Sequence, residues 1–293
     1  MRTRSASTTN HSPESPTATD TRLHPVRLAT MALTIALLGI KGGVGKTTTA
    51  VNLAGLAAVG GLRTLVWDLD PQGAASFALG YDRRSRRAAR NVTRKRPALD
   101  ESAVGTATPG LDLIPSDISL RTLELALTQK SQPKQRIRRA LASAADAYDA
   151  IIIDCPPGVS LQNDNALRAA QLYLAPMVPS ALAARAFEQL VTYIDDDDKA
   201  TGQLLGFLSM VDRRKRTHRA IAEQLARDDR RILRSAIPAA VAIEASPARG
   251  VPFVLTNRSS RAATAYRDLW NEIQTRAHGQ VIAVRSEEDR RGG

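Results

Sequence analysis

The segment Lys41-Gly42-Gly43-Val44-Gly45-Lys46-Thr47-Thr48 constrains this chain more than any other. It follows the apolar run Met31–Ile40 and opens the Ala- and Leu-rich run Thr47–Val59. A buried strand, a glycine loop and a helix in that order leave little choice of local structure. Glycines let successive backbone N–H groups turn inward on one anion. The helix that starts there aims the positive end of its dipole at the same point. Such a loop cradles phosphate. In this pattern Lys46 sits on the β- and γ-phosphates of a nucleotide, and Thr47 offers its hydroxyl to Mg²⁺. The run Met31–Ile40 is far shorter than the roughly 20 residues of a spanning helix. A phosphate-binding motif also stands where a signal peptide would have its cleavage site.

Beyond this loop, short apolar runs alternate with helical patterns. Strands are expected at Ala32–Gly39, Thr64–Asp68, Leu111–Pro115, Ala150–Asp154, Leu172–Val178 and Leu204–Val211. Helices are expected at Thr47–Val59, Ile118–Thr128, Pro133–Ala147, Ala183–Ile194, Thr217–Arg227 and Ser260–Ala277. Runs of this kind predict an α/β fold, a mostly parallel sheet with helices on both faces. Residues 1–30 are rich in Ser, Thr, Pro and Arg without hydrophobic periodicity and read as a disordered tail. Met31 stands immediately before the first strand and is an alternative start. The folded domain is expected over 31–278, followed by a flexible polar tail over 279–293.

Two further segments bring carboxylates to strand ends. In Thr64-Leu65-Val66-Trp67-Asp68-Leu69-Asp70-Pro71-Gln72-Gly73, two acids leave the C-terminal end of a strand. In open α/β sheets, ligands bind at that edge, and a carboxylate there positions water or supports a metal's hydration shell. In Tyr148-Asp149-Ala150-Ile151-Ile152-Ile153-Asp154-Cys155-Pro156-Pro157, a β-branched run ends in an acid, the Walker B pattern. Asp154 would bind Mg²⁺ through water. Cys155, the single cysteine, reads as a buried structural thiol and excludes a disulfide framework or a cysteine-rich metal site within one chain.

The loop departs from the usual P-loop pattern: Ile40 replaces its first glycine, and a second lysine, Lys41, opens it. This is the deviant Walker A form. Together with the segments at Asp70 and at Asp154-Cys155-Pro156-Pro157-Gly158, it resembles the ParA/MinD family, and ParA (Soj-like) partitioning ATPases in particular. The resemblance spans about residues 33–277 and implies a deviant-Walker P-loop NTPase fold. The cofactors it implies are ATP and Mg²⁺. It implies that Gly42–Thr48 (Gly42, Gly43, Val44, Gly45, Lys46, Thr47, Thr48) hold the nucleotide. By the same resemblance, Lys41 is expected to reach across a dimer to the partner's phosphates, and Asp70 to orient the attacking water. Asp68 supports either the Mg²⁺ shell, with Thr47 and Asp154, or the loop itself. Ala236-Ile237-Pro238 resembles the family's Ile-Pro-Arg-Asn segment, so Pro238 packs beside adenine. Ala239 and Ala240 depart from that pattern and remove an Asn contact.

Lys and Arg number 41 against 29 Asp and Glu, a formal charge of +12, which favours a polyanionic partner such as nucleic acid or an anionic membrane. Arginines and lysines crowd Arg83–Arg96, Arg213–Arg219 (Arg213, Arg214, Lys215, Arg216), Arg230–Arg234 (with Arg231) and Arg258–Arg261. No aromatic residue interleaves with them, which argues against stacking on single strands. Phosphate contacts without base readout predict sequence-independent, salt-sensitive binding to double-stranded DNA. The acidic run Asp195–Asp198 reads as a solvated loop. The resemblance further implies an ATP-bound homodimer, a ParB-like centromere-binding partner, slow intrinsic hydrolysis and a cytoplasmic, nucleoid-associated site of action. The alternatives are a MinD-like membrane-associated ATPase and a nucleotide-gated DNA-binding regulator with little turnover. The polar chain end weighs against the first, because membrane docking needs an apolar helical face. An iron–sulfur carrier of the same superfamily would need paired cysteines.

Overall fold

The computed structural model describes residues 32–81, 102–116, 133–142 and 146–291. In chain order the elements are β1 (Leu33–Leu37), α1 (Lys46–Val59), β2 (Thr64–Asp68), α2 (Ala74–Ala78), β3 (Val104–Gly105) and β4 (Leu111–Ile114). A 3₁₀ turn (Pro133–Gln135) leads into α3 (Arg136–Ala142), followed by β5 (Ala150–Asp154), α4 (Leu161–Leu167), β6 (Leu172–Met177) and α5 (Ala183–Asp195). Then come β7 (Gln203–Val211), α6 (Arg216–Asp228), β8 (Ile232–Pro238), α7 (Val241–Glu244), a 3₁₀ turn (Ser246–Arg249), α8 (Phe253–Thr256) and α9 (Arg261–Arg291).

The strands form one eight-stranded sheet, ordered β3-β4-β2-β5-β1-β6-β7-β8. The short pair β3–β4 is antiparallel, and the other pairs are parallel. The central strands are buried along nearly their whole length, and largely apolar, because both faces are covered. On β5, Ile151 and Ile153 enter one core, with α3, α4 and α5. Ala150 and Ile152 enter the other, with α1, α8 and α9. The expectation of a mostly parallel sheet with helices on both faces is met.

Helix α1 lies deep in the second core and carries little amphipathic contrast. A Cβ on its Gly55 would meet the Pro252 ring at 2.8 Å, so only glycine lets α8 approach this closely. Asn52 ties the two together: its side chain donates to Thr48 O at 2.8 Å and accepts from Val254 N at 2.9 Å. At the sheet edge, β8 would present unpaired N–H groups. Glu272 of α9 accepts from Arg234 N and Ser235 N, each at 2.9 Å, and so blunts this edge.

Several expectations differ in extent. Strand β8 was not expected as a strand, because Arg234 and Ser235 interrupt its apolar run. Helices α2 and α4 were also missed, being too short for a periodic signal. The expected helix Pro133–Ala147 is a 3₁₀ turn and then α3, with 143–145 outside the described residues. Helix α9 begins after Ser260, whose hydroxyl accepts from Ala263 N at 3.1 Å. Its helical backbone continues past Ala277 to Arg291, over most of the segment read above as a flexible tail. Beyond Gly279 that segment is built largely from helix formers and contains no proline. The tail 1–30, the arginines between 83 and 96 and the expected helix Ile118–Thr128 lie outside the described residues. No helix among the described residues is long and apolar enough to cross a membrane.

Candidate functional site

The strand register assembles the site. Leu37 of β1 and Asp68 of β2 are both paired with Asp154 of β5, so the glycine loop and both acidic segments leave the sheet side by side at its C-terminal edge. Gly43 (φ 72°) and Gly45 (φ 95°) are left-handed, a conformation costly for any residue with a Cβ. Gly42 and Gly43 have open space where a side chain would be. At Gly45 a Cβ would lie 2.9 Å from Ser209 Oγ. Lys41, Gly42 and Gly43 are exposed, while Lys46 is 7% exposed. Lys46 Nζ donates to Lys41 O at 3.3 Å, bending over the loop. Burial holds its ammonium below the usual lysine range, opposed by Asp154, Cys155 and Asp70.

The two strand-end carboxylates have opposite environments. Asp68 is buried and fully engaged: Oδ2 accepts from Ser76 N (2.8 Å) and Ser76 Oγ (2.7 Å), and Oδ1 accepts from Asp70 N (3.2 Å). Burial, opposed by the Ser76 bonds, pushes it up to about 6. The chain of contacts continues outward. Ser116 N donates to Ser76 Oγ at 2.8 Å, and Ser116 Oγ donates to Asp70 O at 2.6 Å. Asp68 thus braces the turn that carries Asp70, whose Oδ1 accepts from Gln72 N.

Asp154 is equally buried, yet neither of its oxygens has a hydrogen-bond partner among the described residues. Burial, and then Asp68 beside it, push this carboxyl well above the ordinary range; Thr47 and Lys46 favour its charge. The Thr47 hydroxyl leans toward it without completing a well-formed hydrogen bond. Two desolvated oxygens facing a hydroxyl and an ammonium suit a hydrated hard cation, since Mg²⁺ keeps most of its waters and takes few protein ligands. Asp68, with its oxygens already used, suits the bracing role better than the metal shell.

Sequence reasoning missed the residues that hold this edge. Asn163 Nδ2 donates to Pro156 O (3.2 Å) and Gly158 O (2.7 Å), and Gly158 N donates to Gly39 O (3.1 Å). These bonds lock the turn after Asp154 against the base of the glycine loop. Cys155 is free and buried, its thiol pushed up by burial and by Asp154. On the other flank, Met210 has φ 55°, a strained value for a non-glycine residue. It adjoins Ser209, and its side chain reaches toward Gly45. Only the Ser76 pairing had a local signal, a serine soon after the Asp-Pro turn.

Replacing Ser76 with Ala strips Asp68 of a donor and Ser116 N of its acceptor. The expected destabilisation is about 1–3 kcal/mol, read by urea unfolding. An unchanged midpoint would remove the bracing role.

The expected outer residues are dispersed. Pro238 is paired with Val211 at the ends of β8 and β7 and lines a cavity to which no residue of the glycine loop contributes. Arg214 is held by Asp212 (3.0 and 3.1 Å), which it pulls down to about 2. Arg231 is held by Asp229 (2.6 Å) and lies 5.6 Å from the Phe187 ring centre. Arg213, Lys215, Arg216, Arg234, Arg258 and Arg261 are exposed. In the acidic run, Asp197 is taken by Arg168 (2.8 Å), and no metal-holding cluster of His, Cys, Asp or Glu occurs among the described residues.

Comparison with known proteins agrees with this geometry. The model of the AAA_31 family, described as an AAA domain, matches residues 32–205. The chromosome partitioning protein ParA of Caulobacter vibrioides is 34% identical over 254 residues, covering 83% of this chain and 94% of that protein. The sporulation initiation inhibitor protein Soj of Bacillus subtilis is 32% identical over 83% of this chain and 98% of its own length. Among solved structures, a Mycobacterium smegmatis protein named cobyrinic acid a,c-diamide synthase, with bound ADP and magnesium, aligns with TM-score 0.70 at 26% identity, covering 83% and 94% of the two chains. A putative plasmid partition protein of Borrelia burgdorferi bound to AMPPNP shares the fold, with TM-score 0.73 at 19% identity over 84% and 99%. The deviant glycine loop, the paired strand-end acids and near full-length matches to partitioning proteins converge: the chain belongs to the ParA/MinD-type family of partitioning ATPases.

Proposed function

We propose that this chain is an ATP-driven DNA-partitioning ATPase that binds Mg-ATP at Gly42–Thr48 and closes as a homodimer on non-specific double-stranded DNA. The observation that carries the nucleotide half is Asp154, a buried carboxylate whose two side-chain oxygens have no partner among the described residues, beside Lys46 and Thr47. Magnesium, when bound, neutralises phosphate charge and orients the triphosphate. Thr47 and Asp154 would hold it, while Asp68 keeps the Asp70 turn in place. Lys46 supplies positive charge to the β- and γ-phosphates. Asp70, half-buried at the rim, orients the attacking water. Lys41, exposed at the mouth of the loop, is free to reach a second copy's phosphates. The ATP and magnesium assignment is supported by the nucleotide-bound relatives.

The DNA half rests on surface charge that has no acidic partner among the described residues. Arg213, Lys215, Arg216, Arg234, Arg258 and Arg261 remain candidates for phosphate contact. Arg214 and Arg231 are ranked below them, because their carboxylate partners already neutralise them. A ParB-like partner stimulates hydrolysis, which releases dimer and DNA. The protein acts in the cytoplasm, on the nucleoid. Pro238 keeps an adenine contact only if the base extends past the end of β7.

Retention of a random-sequence duplex tests this reading. Binding is expected with ATP or a non-hydrolysable analogue, not with ADP or without nucleotide. It should weaken steeply with salt and vanish in Lys41→Ala. Retention that ignores nucleotide would exclude the dimer-gated reading. ATP binding and hydrolysis with no retention in any state would exclude DNA as the track.

A further inference from the structure

Three arginines from three separate elements line one cavity. Arg213 comes from the loop between β7 and α6, Arg234 from edge strand β8 and Arg261 from the first position of α9. The cavity measures about 460 Å³, within the range of about 300–1,000 Å³ typical of ligand clefts. Ser235 and Thr264 add hydroxyls, and Asp268 is its acid. Positive charge is therefore in excess. All three arginines are exposed, and none of their guanidinium groups has a partner among the described residues. The carboxylate best placed to quench Arg234, Glu272, is spent on the backbone N–H groups of β8 and on Ser235 Oγ. This differs from Arg214 and Arg231, each closed on the aspartate two positions before it in the chain.

We infer that Arg213, Arg234 and Arg261 form a clamp for a single backbone phosphate of double-stranded DNA. Guanidinium forks match phosphate oxygens in pairs. Three forks from three elements on one cavity can share one phosphate. Among the described residues no aromatic side chain lines the cavity, so none of them would stack a nucleobase there. Exposed Lys215 and Arg216 follow Arg213 in the chain and add further charge, as a polymer's next phosphates require and a lone small anion does not. One residue of the chain separates the cavity wall from a neighbour of the nucleotide loop. Val211 and Pro238 line the cavity, and strained Met210, directly before Val211, reaches toward Gly45.

This inference rests on the DNA-binding reading above and refines it. Its signature is non-additivity. The test measures fluorescence anisotropy of a labelled random duplex, with the non-hydrolysable ATP analogue, across a salt series. Each of Arg213→Ala, Arg234→Ala and Arg261→Ala is expected to weaken binding about tenfold or more, with double variants barely weaker than singles. The salt slope should fall by about 0.9 per clamped phosphate, so by about 1.8 for a dimer, whichever arginine is removed. Arg213→Lys should keep the slope and still lose affinity, since charge survives and the fork does not. Far-UV circular dichroism melts check that each variant is folded. Losses that multiply, with the slope falling further at each removal, would overturn the single-phosphate clamp. Wild-type affinity in all three Ala variants would remove the cavity from the DNA path. Failure of the unaltered protein to bind duplex, with ATP hydrolysis intact, would instead overturn the parent reading and the clamp with it.

Discussion

Lys46→Ala is expected to lower kcat for ATP hydrolysis by about 10²–10³-fold, the usual effect of deleting one preorganised charge from a phosphoryl-transfer site. The side chain is 7% exposed and bends over the loop to Lys41 O. Burial already presses its ammonium toward neutrality. Phosphate oxygens would restore the charge, so the interaction strengthens as negative charge gathers on the transferring group. A second readout separates binding from chemistry. Mg-ATP should raise the melting temperature of the unaltered protein by mass action, and that rise should disappear in Lys46→Ala. Without nucleotide the variant should be no less stable, since a poorly solvated amine has been removed. Full ATP-induced stabilisation with full turnover in Lys46→Ala would show that the loop lysine is a bystander.

Asp154→Asn should move stability and activity in opposite directions. The carboxylate is fully buried with both oxygens unpartnered among the described residues. In the nucleotide-free protein its charge is therefore a cost, and a neutral amide of the same shape is expected to stabilise the fold by about 1–3 kcal/mol at neutral pH. The sign of the pH dependence follows. The folded-state carboxyl titrates above its unfolded value, so its contribution is intact below about pH 4 and is lost as pH rises through the folded-state value. The advantage of the Asp154→Asn variant should thus be small near pH 4 and grow toward about pH 7, as followed by thermal melts in chelator. Magnesium-dependent turnover should fall by about 10²-fold or more, because the ion loses its charged anchor. A variant that is destabilised without nucleotide, or that keeps magnesium-dependent turnover, would show that Asp154 is a structural acid.

The contrast between Asp68 and Asp154 shows where local pattern stops being informative. Both end apolar strands, and both read from sequence as acids at a ligand edge. They separate only because Ser76 and the backbone of Asp70 close on one of them, while no described donor closes on the other. The same holds for the arginines. Arg213 and Arg214 are neighbours in the chain, yet Arg214 is bound by Asp212 and Arg213 opens into a cavity shared with β8 and α9.

The sequence by itself determined the strand–loop–helix unit at Lys41–Thr48, the buried central strands β1, β2 and β5, and the family. These follow from short-range rules: glycine where φ must be positive, lysine and hydroxyl at a helix start, and continuous apolar runs where both sheet faces are covered. It did not reveal β8, whose polar centre suits an edge that Glu272 protects from 37 and 38 residues away. Nor did it reveal Asn163 as the lock on the turn after Asp154, or Ser116 as the outer brace of Asp70. Those roles depend on hydrogen bonds that close only once the sheet register is set, as between Ser76 and Ser116, 40 residues apart, or Asn52 and Val254, 202 apart. Whether a polar group is satisfied is a property of its surroundings in three dimensions. The tertiary structure alone therefore decided which carboxylate is held by hydrogen bonds, which has no partner among the described residues, and which arginines lack an acidic partner there.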